Sequence, residues 1–70
     1  MPEMIETPES SNVSAIGYDA DGQELWVEFK SGTYVYLGVP EFLWEQLRDS
    51  DSKGSFVNSQ LKNAFGFRRP

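Results

Sequence analysis

The sequence predicts an α+β fold: a three-stranded antiparallel β-meander followed by two α-helices packed on one face. Three observations carry this. Residues 24–30 alternate, with Leu25, Val27 and Phe29 set between Glu24, Trp26, Glu28 and Lys30, the two-residue period of a half-buried strand. Turn-forming segments at 19–22 and 31–32 bracket that strand closely enough for hairpins. From Pro40 onward the period becomes helical, with Pro40, Leu43, Trp44 and Leu47 on one stripe.

Residues 1–10 hold two prolines and three glutamates without periodicity and are expected to form a flexible tail; residues 11–70 form a single domain. Residues 13–18 read as the first strand. Asp19-Ala20-Asp21-Gly22 suits a type I turn closed by glycine at positive φ. Residues 24–30 are the second strand and, across a Ser31-Gly32 turn, the β-branched and aromatic residues 33–37 are the third.

A two-residue Ser31-Gly32 loop sets Phe29 opposite Tyr34 and Val27 opposite Tyr36, and the first turn sets Tyr18 opposite Gln23. Paired positions share a face. One face therefore gathers Ile16, Leu25, Val27, Phe29, Tyr34 and Tyr36. The other holds Ala15, Trp26, Glu28, Lys30, Val35 and Leu37. The first is the more apolar and is the one the helices should cover.

Pro40 at the first helical position loses no hydrogen bond, and Glu41 and Glu45 suit the positive end of the first helix. Phe42 lies off its apolar stripe. Asp49-Ser50-Asp51-Ser52 ends this helix and caps the next, expected over 53–65 with Val57, Leu61 and Ala64 inward and Gly66 as its stop.

Composition narrows the function. Seventy residues make one domain. With no cysteine or histidine, disulfides, cysteine-built zinc sites and His- or Cys-dependent triads are excluded, and no metal or cofactor is expected. No signal peptide and no membrane-length apolar run is present, so the expected compartment is the cytoplasm. The net charge is −5, and it is unevenly spread: all 11 acids precede residue 52, whereas residues 52–70 carry only Lys53, Lys62, Arg68 and Arg69. Asp19 and Asp21 have a turn role, and a chain this small has little room for a cleft with paired carboxylates. A binding module, not an enzyme, is expected.

The stretches Ser11-Asn12-Val13, Gly17-Tyr18-Asp19, Val27-Glu28-Phe29-Lys30-Ser31-Gly32, Tyr34-Val35-Tyr36, Gly38-Val39-Pro40 and Ser52-Lys53-Gly54, then Phe56, Asn58 and Leu61, resemble the KTSC domain family in order and spacing. Phe65 and Phe67 stand where the family commonly has tyrosine, and Asn63 where it has glycine. The family takes its name from a domain at the C-terminus of some lysyl-tRNA synthetases. The resemblance implies an α+β fold, and the synthetase association suggests RNA, tRNA included, as a partner.

Two surfaces are candidates. Nucleic acid would be held by Lys53, Lys62, Arg68 and Arg69 on phosphates, by Tyr34 and Tyr36 as stacking rings, and by Asn58, a poor helix former inside a helix. The competing roles are a solvated basic end, core aromatics, and for Asn58 a hydrogen bond to the 38–39 loop; the register favours core for the tyrosines. A protein, either another chain or a second copy, would meet the patch of Trp26, Val35 and Leu37. The competing reading has Met4 and Ile5 fold over that patch.

Overall fold

The computed structural model describes residues 2–70. It is α+β, with a five-stranded antiparallel sheet in the order β1-β2-β3-β4-β5 and two helices. The strands are β1 (Ile5–Glu6), β2 (Val13–Asp19), β3 (Glu24–Phe29), β4 (Gly32–Tyr36) and β5 (Phe67–Arg68). The helices are α1 (Glu41–Asp49) and α2 (Lys53–Phe56), which runs on into a π-helical turn, Val57–Leu61. Among the described residues no helix is long and apolar enough to cross a membrane.

Three strands were expected and five are found. The two extra strands are only two residues long, below the length at which alternation is readable. β1 pairs Ile5 with Ile16 and Glu6 with Ala15. It is held by its continuation: the Thr7 amide donates to the Ser14 carbonyl at 2.9 Å, and the buried Thr7 hydroxyl donates to the Val13 carbonyl at 2.6 Å. β5 pairs Phe67 with Tyr36 and Arg68 with Val35.

Both hairpin loops lie one residue from their expected places. β2 and β3 pair Tyr18 with Leu25 and Ile16 with Val27, so the loop is 20–23. Asp19 organises it by accepting bonds from the Asp21 and Gly22 amides. The positive φ, 53°, falls on Gln23 and not on Gly22. That conformation is tied into the fold, because the Gln23 carbonyl accepts a bond from the Val39 amide at 2.9 Å. β3 and β4 pair Leu25 with Tyr36 and Val27 with Tyr34, leaving Lys30-Ser31 as the loop in place of Ser31-Gly32. Each slip shifts pairing by two positions, so every side chain keeps its face. A bulge at Ser14 then turns Val13 to the same side as Ile16.

The core lies on the expected face. Ile16, Leu25, Val27 and Tyr36 from the sheet pack with Leu47 of α1, Val57 and Leu61 of the second helical segment, and Val13 and Val39. Leu43 and Trp44 flank this core, and Trp44 stacks on Tyr18 with ring centres 5.9 Å apart. Pro40 sits just before α1 in an extended conformation, one residue earlier than a first helical position. Gly38, at φ 71°, takes the left-handed turn that brings the chain from β4 to α1. The second helix is shorter than 53–65. In the π turn the Lys62 amide reaches back five residues to the Val57 carbonyl. This advances the helical phase, so Ala64 faces solvent and Phe65 packs on the core in its place.

The Tyr18 hydroxyl donates to the Val39 carbonyl and so anchors the 38–39 loop. Burial, then the Glu41 and Asp19 carboxylates, push its phenol above the usual value of 10.0; burial followed by the Tyr34 neighbour pushes Tyr36 the same way. Folding thus favours the protonated phenols. Their contribution is complete below about pH 10 and is lost as pH rises through the elevated values. Urea midpoints should fall above that pH. Tyr18→Phe should cost about 0.5–1.5 kcal/mol at neutral pH and flatten the alkaline decline. An unaltered alkaline slope in the variant would show that this phenol does not cause the decline.

Candidate nucleic-acid interface

β4 presents Tyr34 and Tyr36 on its helix-facing side, and β5 lays Phe67 beside them. Tyr34 and Phe67 stack with centres 5.1 Å apart and planes 21° from parallel; Tyr36 lies 6.0 Å from Phe67, and Phe29 meets Tyr34 edge-on at 5.6 Å. Across from these rings stand Asn58 of the π turn and Lys62, which follows it. Together with Ser31 and Val57 they line a groove of about 310 Å³. At its rim Arg69 donates to the Tyr34 hydroxyl at 3.0 Å, its guanidinium carbon 5.0 Å from the Tyr34 ring centre, which is cation–π range. The groove therefore combines ring surface, an amide able to both donate and accept, and two cations.

Of the residues proposed from sequence for nucleic acid, Tyr34, Tyr36, Asn58, Lys62 and Arg69 meet at this groove. Both tyrosines pack at the core, as the register favours, Tyr36 buried and Tyr34 half-buried, and both also line the groove. Asn58 is exposed and does not hold the 38–39 loop, a task done by Tyr18 and Gln23.

Lys53 and Arg68 lie elsewhere. Lys53 is only 9% exposed; its ammonium donates to the Ser50 carbonyl at 2.7 Å and pairs with Glu9 at 3.3 Å. The Glu9 carboxyl is held below its ordinary range by a backbone hydrogen bond and by Lys53. Arg68 reaches over the opposite face of the sheet, 5.6 Å from the Trp26 ring centre, and pairs with Glu24 at 3.2 Å. Ring surface from Phe29 and Phe67 was not foreseen as part of a site. The signal for Phe67 was an aromatic next to two arginines just after a glycine, too short to read as a strand.

The expected open patch of Trp26, Val35 and Leu37 is largely closed. Trp26 is 9% exposed, Val35 is fully buried, and Leu37 alone stays open, at 39%. Arg68 covers one part of this face. The other part is covered from the N-terminal side, because residues 2–4 cross over Gly17, the partner of Trp26 in β3. A Cβ on Gly17 would lie 2.6 Å from the Met4 sulfur and 2.9 Å from the Glu3 carbonyl oxygen. Gly17→Ala should therefore displace this segment at a local cost of about 1–3 kcal/mol. Hydrogen exchange is expected to quicken at the Ile5 and Thr7 amides and stay slow across β3; equal exchange in both proteins would refute the close approach.

Among known proteins, residues 9–65 match the KTSC domain. A KTSC domain protein of Yersinia pestis, known from its crystal structure, is 35% identical and aligns with a TM-score of 0.93 over 100% of this chain and 99% of that one. A protein of Tsukamurella paurometabola is 41% identical over 58 residues, covering 81% of this chain and 87% of the relative. A lysine–tRNA ligase of Nostoc punctiforme is 36% identical over 63 residues. These make up 89% of this chain but 11% of the ligase, so the chain spans about a tenth of that enzyme.

Proposed function

We propose, for a chain that belongs to the KTSC domain family, a non-enzymatic role in binding RNA through the groove between β4, β5 and the π turn. The observation that carries this is the convergence of Tyr34, Tyr36, Asn58 and Lys62 with Phe67 in one groove, with Arg69 at its rim. Single-stranded RNA is held by rings that take base faces, polar side chains that reach base edges and cations that meet phosphates. The groove offers all three kinds within a small span. π turns inside helices recur at functional sites; this one carries Asn58, and the Lys62 amide closes it. The kinship with a lysine–tRNA ligase supports tRNA as the first RNA to try.

The overall charge of −5 argues against a broad electrostatic footprint, so recognition on this reading depends on the rings and is weak at high salt. The test is a gel shift with tRNA and with an unstructured RNA over a salt series. Binding should be clear at low salt and fall as salt rises. The double variant Asn58→Ala, Lys62→Gln alters only exposed side chains and should weaken binding while leaving the thermal melt in place. Absence of a shift at low salt with either RNA would end this reading.

A further inference from the structure

Resting on the RNA-binding reading, the geometry points to a groove that takes a single nucleotide: one unstacked base with its adjoining phosphates, as at a strand end or a base turned out of a loop. Three features limit it to one. The first is size. At about 310 Å³ the groove is at the small end of ligand sites, which run from ~300 to ~1,000 Å³. The second is ring surface. Phe67 is 52% exposed, whereas Tyr36 is buried and Phe29 and Tyr34 are half-buried. Successive bases need successive open rings, and sheet-based RNA modules that hold two or three bases supply them. Here a single ring is open.

The third is charge. Lys62 and Arg69 are the cations at the groove, since Lys53 is engaged by Glu9 and Ser50 and Arg68 lies on the opposite face. A neighbouring depression shares Phe29, Ser31 and Asn58 with the groove and adds Asn12, Lys30 and Gly54. It contributes one more cation and no new ring. A second nucleotide gains a phosphate contact there but no stacking.

The experiment compares adenosine and uridine 5′-monophosphates with the corresponding dinucleotides and octanucleotides, by calorimetric titration of the intact chain. Affinity is expressed per nucleotide so that multiple registers on the longer strands cancel. The dinucleotide should bind several-fold tighter than the monophosphate, and the octanucleotide should add nothing further. Two or three phosphate contacts should give a salt slope of about −1.4 to −2.1, at ~0.7 per phosphate on single strands. Arg48→Gln, an exposed cation on α1 outside the groove, should leave both affinity and slope unchanged. A per-nucleotide affinity that climbs by about tenfold or more from dinucleotide to octanucleotide would overturn the single-nucleotide limit while upholding RNA binding, because added stacking is worth ~1–3 kcal/mol per base. If no member of the series binds, the RNA reading falls and the limit falls with it.

Discussion

Leu47→Ala is expected to remove about 2–5 kcal/mol of stability, the range for emptying a buried leucine site. A domain of this length has about 3.5–10 kcal/mol in total, at ~0.05–0.15 kcal/mol per residue. The loss is thus a large fraction of the whole. Leu47 is fully buried, and it is the one residue of α1 fully enclosed in the core beneath the sheet. Around it stand Trp44, already stacked on Tyr18, and β-strand side chains fixed by their pairing, so collapse into the cavity is restricted. The melting temperature should fall by about 8–40 °C, at ~4–8 °C per kcal/mol for a domain of this size. Phe42→Ala on the same helix is the control. Phe42 is 59% exposed and off the apolar stripe, so its change should stay within about 0.5 kcal/mol. Equal losses in the two variants would show that α1 is not docked by the Leu47 face.

Phe67→Ala is expected to weaken RNA binding by about 5- to 160-fold, the equivalent of ~1–3 kcal/mol for one base–ring stack. The single-ring character of the groove makes the effect large, because no second open ring remains to take over. The same substitution should leave the chain folded. Phe67 is half exposed on an edge strand, and its ring contacts with Tyr34 and Tyr36 are worth about 0.5–1.5 kcal/mol each. Phe67→Tyr keeps the ring and should retain affinity. The informative measurement is fluorescence anisotropy on labelled RNA, with a urea melt of each variant alongside. If Phe67→Ala binds like the parent, stacking on this ring is not how the groove works.

The sequence made the fold class and the division of faces readable because both follow from parity. Leu25, Val27 and Phe29 alternate with polar residues, and a loop that slips by one residue on each hairpin changes partners without changing sides. Loop placement itself was not readable. Gly22 and Gly32 advertised the turn positions, but Asp19 organises the first loop through two amides, and the second closes one residue before the glycine-containing pair. β1 and β5 were invisible because two residues carry no period. What creates β1 is tertiary: the Thr7 hydrogen bonds and the Glu9–Lys53 ion pair.

The site was half readable for the same kind of reason. Residue type alone picked out Tyr34, Tyr36, Asn58, Lys62 and Arg69. It could not separate free cations from occupied ones. Lys53 and Arg68 look equivalent to Lys62 and Arg69 in the sequence, yet each is bound within the fold to a carboxylate. The helical stripe that put Ala64 inward also failed at the π turn, whose extra residue per turn is a local backbone choice that leaves no mark on hydrophobic spacing.

The sheet's borders have a consequence for behaviour in a crowded solution. An edge strand is a template on which a foreign strand can grow, and its danger rises with the length of its unsatisfied amide row. Here both borders are only two residues long, and a side-chain tie adds to the ladder of each: Thr7 on one side, Arg68 clasped to Glu24 on the other. The longer strands β2, β3 and β4 are shielded from self-templating by this pair of short hems. Loss of these polar fastenings is therefore expected to expose longer strand edges to stacking, so Thr7 and Glu24 are the positions where a substitution should raise aggregation.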